Sequence, residues 1–112
     1  MRQTELFKRL KEDVLGKTYD LSVAFLSATQ MRAVTKRTKK VDKVSNVLAF
    51  PLSKTSGEIL ICKKTAPPHS VPYLFIHALL HLKGFKHSAR MESAEQDLLQ
   101  RFSLHAKNRN RH

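Results

Sequence analysis

The stretch His77-Ala78-Leu79-Leu80-His81-Leu82-Lys83-Gly84-Phe85-Lys86-His87 limits what this chain can become more than any other. In a helix, His77 and His81 share one face, because side chains four residues apart stand one above the other. Gly84 can end that helix, and the chain returning after it brings His87 towards the first two rings. Before this frame lie Tyr73, Leu74, Phe75 and Ile76. A helix apolar on every side is a buried one, so about Tyr73–Lys83 should form a central helix. Two imidazoles inside it each need a polar partner, and one shared metal serves both. Three histidines with a fourth position left open make a reactive zinc site. Nickel, copper and iron are also compatible with imidazole ligands.

The rest of the chain must build around that helix with little to spare. With 112 residues and 41 % hydrophobic residues, one modest core is expected, spanning 1–106 as a single domain. Ala106 to His112 then forms the end of the chain, with 107–112 a basic, disordered tail. The lone cysteine, Cys62, excludes an intrachain disulfide and suits a reducing cytoplasm; it reads as a small core residue at a strand end. No apolar run reaches membrane-span length and the first fifteen residues lack a signal-peptide core, so a cytoplasmic protein without a membrane partner is expected.

Hydrophobic periodicity gives the element order. Leu6, Phe7, Leu10, Val14 and Leu15 mark an amphipathic helix over 2–15, stopped by Gly16. Between Tyr19 and Phe25 the period shortens to two, with Leu21, Val23 and Phe25 on one face of a strand. Ser27-Ala28-Thr29-Gln30 has capping-box spacing, opening a short helix that carries Met31 and Val34 inward. Lys36-Arg37-Thr38-Lys39-Lys40-Val41-Asp42-Lys43 reads as a basic loop. Ser45–Pro51 is a strand ended by Pro51, Lys54–Gly57 a turn, and Glu58–Cys62 a second strand, close enough to pair as a hairpin. Residues 63–72 are an irregular connector in which Ser70 can cap the histidine helix and Pro72 fits its first turn. After His87, Ser88 can cap a last helix with Met91, Ala94, Leu98, Leu99 and Phe102 on one face. This order defines a small α+β or three-layer fold, a mixed β-sheet packed with helices, with the zinc site on the central buried helix.

A net charge of +12, from 21 Lys and Arg against 9 Asp and Glu, points to an anionic partner, and a polyphosphate backbone fits it best. The histidine spacing is also that of the metzincin proteases, where a glutamate general base follows the first histidine. Here that position is Ala78, which cannot accept a proton. Lys86 beside the third histidine and the basic run around Lys39 favour a phosphoanion over a peptide, and zinc can activate water or polarise a phosphoryl oxygen. His69, His105 and His112 fall outside the frame and are not expected to bind metal.

Three motifs resemble the YbeY family of bacterial zinc-dependent endoribonucleases. The family signature His-Gly-x-Leu-His-Leu-x-Gly-Tyr-Asp-His is matched by His77–His87, its Thr-(Asp/Asn)-Val-Leu-Ser-Phe-Pro by Ser45-Asn46-Val47-Leu48-Ala49-Phe50-Pro51, and its Gly-(Asp/Glu)-Ile-x-Ile by Gly57-Glu58-Ile59-Leu60-Ile61. Met91 and Glu95 fall where the family's closing helix usually has Met and Glu, and the resemblance runs over roughly 5–103. It implies a single-strand-specific endoribonuclease that matures small-subunit ribosomal RNA near its 3′ end, during late assembly and quality control on the ribosome or its small-subunit precursor. It implies one Zn2+ per chain on His77, His81 and His87. Lys39 takes the place of a family arginine that supports the transition state, keeping the charge and losing the bidentate fork. Lys36, Arg37, Lys40, Lys43 and Lys86 are candidates for backbone-phosphate contacts. The chain departs from the pattern at Ala78 for glycine and Lys86 for aspartate, in a shorter connector before the zinc helix, and in opening directly on a helix where the family has a strand. A second reading is an RNA-binding ribosome-assembly factor whose metal is structural and which does not cleave.

Overall fold

Gly57 lies where three parts of the chain meet, and the arrangement follows from that crossing. A computed structural model describes residues 2–108. Its elements run α1 (Gln3–Leu15), β1 (Asp20–Phe25), α2 (Ala28–Lys39), β2 (Val47–Ser53), β3 (Ser56–Ile61), α3 (Val71–Lys83) and α4 (Ala89–Arg101). The sheet order is β1-β3-β2, with β1 parallel and β2 antiparallel to the central β3. Gly57 on β3 faces Leu21 on one side and Pro51 on the other. A Cβ there would sit 2.4 Å from the Tyr19 hydroxyl and 3.0 Å from Leu82 of α3, so hydrogen is the side chain that fits.

Helices cover both faces of the sheet, giving three layers. On one face, α1, α3 and α4 enclose the larger core, centred on Leu10, Ile59, Ile61, Phe75, Ile76 and Leu79. Burying an aliphatic or aromatic side chain of this size contributes about 1.5–3 kcal/mol, and α3 alone buries six residues. Phe7 of α1 stacks on Phe75 of α3 with ring centroids 3.8 Å apart. On the opposite face, Met31 of α2 packs with Leu48, Leu60 and Cys62. Cys62 is fully buried just past the end of β3. Among the described residues no helix is long and apolar enough to cross a membrane.

The element order agrees with the sequence reading, and so do the caps. Ser27 and Gln30 form the capping box, and the Ser70 and Ser88 hydroxyls accept the Tyr73 and Met91 N–H groups. Three local expectations need correction. The segment 36–43 is not a loop throughout: α2 continues through Lys39 and ends on Lys40 in the left-handed region, φ 60°. Nothing in Lys36–Lys39 breaks a helix, and cations in a last turn face its negative end favourably. Beyond the cap, Arg32 holds Asp42 through Nε at 2.6 Å and Nη2 at 2.9 Å. Pro51 does not end β2, which reaches Ser53 with a register shift after Pro51; β2 is an edge strand, where a missing N–H is tolerated. The hairpin turn is correspondingly tight, since β3 already begins at Ser56. Val23 and Phe25 share a face of the edge strand β1 as expected and are 36 % and 41 % exposed; Phe25 is flanked by Phe7 and by the Lys63 ammonium.

The chain end also differs. Ser70 N–H donates to the Ala106 carbonyl and Asn108 N–H to the Pro68 carbonyl, His69 bridges to Lys107, and the Ser70 hydroxyl donates to the His105 carbonyl. Lys107 and Asn108, expected in a free tail, are therefore tied to the connector before α3, whose backbone groups need these partners. The remainder of that tail, 109–112, lies outside the described residues.

Candidate metal centre

Helix α3 presents His77 and His81 on one face, and Gly84, φ 111°, turns the chain so that His87 returns to them. The ring centroids lie 4.6 Å (His77–His81), 5.1 Å (His77–His87) and 4.7 Å (His81–His87) apart. One ligand atom from each ring falls within 4.8 Å of the others. His77 and His81 are half-buried and His87 is exposed, so the cluster opens outward.

Hydrogen bonds decide which nitrogens are offered. His77 Nδ1 lies 2.6 Å from Glu95 Oε2. A carboxylate only accepts, so Nδ1 carries the proton and donates. His81 Nδ1 is 3.1 Å from the Phe85 carbonyl oxygen and must donate for the same reason. The nitrogen that each ring then offers is Nε2, and these two atoms face each other at 3.1 Å. A shared proton or a metal ion between them bridges such a pair. Tetrahedral zinc with Zn–N bonds of about 2.0–2.1 Å would hold two nitrogens about 3.3 Å apart, close to the separation seen. The donor set therefore fits a metal ion. Burial pushes the His81 imidazole below its ordinary pKa, and the neighbouring rings of His77 and His87 lower it further, against weaker opposing effects of the Phe85 carbonyl and Glu95. That direction favours the neutral ring, the form that ligates.

Glu95 is the feature that sequence reasoning left without a role. It sits on α4, 4 % exposed, and its other oxygen accepts from the Tyr73 hydroxyl at 3.3 Å. The Tyr73 phenol is raised in pKa by burial first and by Glu95 second, so it remains a donor. Its sequence signals were the match of Met91 and Glu95 to the family's closing helix and the placing of an acid on the buried face of α4, one turn from Met91, Leu98 and Leu99.

The cluster forms one wall of a cavity of about 710 Å³. The opposite side comes from the segment leading into β2, with Lys43, Ser45 and Asn46, and from Lys39 at the end of α2. A buried link fixes that side: the Thr35 hydroxyl of α2 donates to the Met31 carbonyl at 2.8 Å and lies 2.9 Å from Ser45 Oγ. Lys39 and Lys43 are thereby brought to the histidines. Lys36, Arg37 and Lys40 are exposed and do not line this cavity, and Lys86 faces a neighbouring pocket. Ala78 is buried beneath the site, 1 % exposed. His69, set aside as a ligand, does line the cavity, where it stacks on Tyr73 at 5.2 Å.

Fold and site together define a class: a small three-layer α+β protein whose central helix carries a three-histidine metal-ligand cluster facing a cation-lined cavity. Within that class, the family model described as Endoribonuclease YbeY matches residues 2–106, and the chain belongs to the YbeY family. It is similar to "Endoribonuclease YbeY" of Campylobacter jejuni strain RM1221, 32 % identical over 103 aligned residues covering 76 % of each chain. It is also similar to the protein of that name from Finegoldia magna, 30 % identical over 99 residues covering 73 % of this chain and 62 % of that one. The solution structure of TM1509 from Thermotoga maritima shares the fold, with a TM-score of 0.57 at 21 % identity over 92 % of this chain and 87 % of that one.

Proposed function

We propose that this protein is a metal-dependent endoribonuclease that cuts single-stranded RNA, with zinc on His77, His81 and His87. The observation that carries the reading is the facing Nε2 pair of His77 and His81, 3.1 Å apart, in a cavity that also receives Lys39 and Lys43. Zinc held there supplies a Lewis acid able to lower the pKa of water and to polarise a phosphoryl oxygen. The chain's own residues do the rest. Glu95 and the Phe85 carbonyl hold the two helical imidazoles in the ligating tautomer. Lys39 stabilises the charge that gathers on the phosphoryl oxygens as the bond to the leaving oxygen breaks, and Lys43 positions the backbone. Lys36, Arg37 and Lys40 extend this positive face along the outside of α2, and Lys86 lies beyond His87.

Membership in the YbeY family and the net charge of +12 support a finer reading. The substrate is the precursor of small-subunit ribosomal RNA near its 3′ end, met on the ribosome or its small-subunit precursor in the cytoplasm, where a lone buried Cys62 is at home. The test is cleavage of a labelled single-stranded RNA by purified zinc-loaded protein. Cutting should vanish with a chelator, return with zinc, and be absent from His81→Ala. Cutting that persists undiminished in His81→Ala belongs to a contaminant and removes the enzyme reading. Tight RNA binding with no cutting by the zinc-loaded protein would instead favour an assembly factor with a structural metal.

A further inference from the structure

A second pocket adjoins the metal centre and is built from different residues. It measures about 500 Å³ and is lined by Lys83, Gly84, Phe85, Lys86, Ser88 and Arg90. Three of these six carry full positive charge. None of the three forms an ion pair among the described residues, although nine Asp and Glu are available in the chain. All three are exposed. Cations gathered around one concavity without an acidic partner give it a positive potential that favours an anionic ligand.

Its position relative to the histidines gives the ligand its class. His87 lines the metal cavity, while its chain neighbours Lys86 and Ser88 line the second pocket. The two concavities are therefore the two sides of one short loop, separated by a single residue. A ligand that occupies both must be a polyanion with repeated negative groups along a flexible chain. Phosphodiesters of a single RNA strand have that form.

We propose that Lys83, Lys86 and Arg90 form a phosphate subsite that holds a backbone phosphate of the RNA strand next to the one at the metal centre. The inference rests on the RNA reading above and adds Lys83 and Arg90 to the binding surface. The subsite raises affinity for strands long enough to reach both sides of the 84–88 loop and does not take part in bond breaking.

The experiment is equilibrium binding of fluorescent oligouridylates of increasing length to protein treated with a chelator, so that affinity is read without cutting. The triple variant Lys83→Gln, Lys86→Gln, Arg90→Gln is compared with wild type and with a charge-matched control, Lys8→Gln, Lys17→Gln, Lys54→Gln, whose positions line neither cavity. Circular dichroism checks that each variant is folded; these side chains are exposed, so they should be. The subsite variant should bind long strands about tenfold more weakly, and its plot of log affinity against log salt should flatten by about 0.7, the value for one phosphate contact on a single strand. The control should change less on both counts. Equal loss in both triple variants means general charge attraction and overturns the subsite while leaving RNA binding intact. Uridine monophosphate binding as tightly as the long strand would make this a free-nucleotide pocket and equally overturn it. If wild type binds no RNA at low salt, the RNA reading fails and the subsite with it.

Discussion

Glu95 fixes His77: its Oε2 lies 2.6 Å from the imidazole Nδ1, although the two residues sit on different helices. The carboxylate is nearly sealed from water, and Tyr73 on α3 holds its second oxygen. The pair makes one ligand's orientation depend on the packing of α4 against α3.

Removing that carboxylate should therefore loosen the metal without touching a ligand. Loss of a partner behind a ligating histidine typically weakens metal binding about 10–100-fold, and Glu95→Ala should fall in that range in a chelator competition. Glu95→Gln, which can still accept from Nδ1, should lose less. Wild-type affinity in Glu95→Ala would mean that His77 orients itself.

The low pKa of His81 gives a pH dependence with a definite sign. In the unfolded chain its imidazole titrates near 6.5, and in the folded metal-free protein it titrates lower. Above 6.5 both states are neutral and the group has no effect. As pH falls through 6.5 towards the folded value, the unfolded chain takes up a proton that the folded chain does not, and stability declines. Thermal melts of chelator-treated protein should show this decline between pH 6.5 and mildly acidic values. His81→Asn should make that part of the curve flatter, and an unchanged slope in the variant would assign the decline to other groups.

Lys39 can be tested in both directions. Lys39→Ala should lower RNA cleavage by about 10²-fold if its charge stabilises the transition state, with metal content unchanged. Lys39→Arg should match or exceed wild type, since the guanidinium donates two parallel hydrogen bonds to a phosphoryl group where the ammonium offers a point charge. A Lys39→Ala enzyme with full kcat would remove Lys39 from the reaction.

Gly57→Ala should destabilise the fold. Its methyl would meet the Tyr19 hydroxyl at 2.4 Å and Leu82 at 3.0 Å, and overpacking of this kind costs about 1–3 kcal/mol. Combining it with Tyr19→Phe, which removes the nearest atom, should recover part of the loss in melting temperature.

The histidine frame was legible in the sequence because its geometry is local: a four-residue spacing and one glycine place all three rings. Caps at Ser27, Ser70 and Ser88 were legible for the same reason. The course of Lys36–Lys39 was not, because a charge run looks the same in a loop and in a solvated helical turn, and α2 ends on a lysine, Lys40, where glycine would have signalled the stop. Pro51 misled because its meaning depends on whether the strand lies at a sheet edge, a fact of topology. Glu95 and His69 reach the site through contacts across 18 and 38 residues of chain, respectively, to His77 and Lys107, and no periodicity reports contacts of that kind.

The ties from His105, Ala106, Lys107 and Asn108 back to Pro68, His69 and Ser70 act as a clasp on the cavity wall that carries His69. The segment following α4 lines no part of that cavity, yet any shift in it is passed through backbone hydrogen bonds to the wall facing the metal site. The pocket's shape is thus held from outside, by a piece of chain that the RNA itself need never touch.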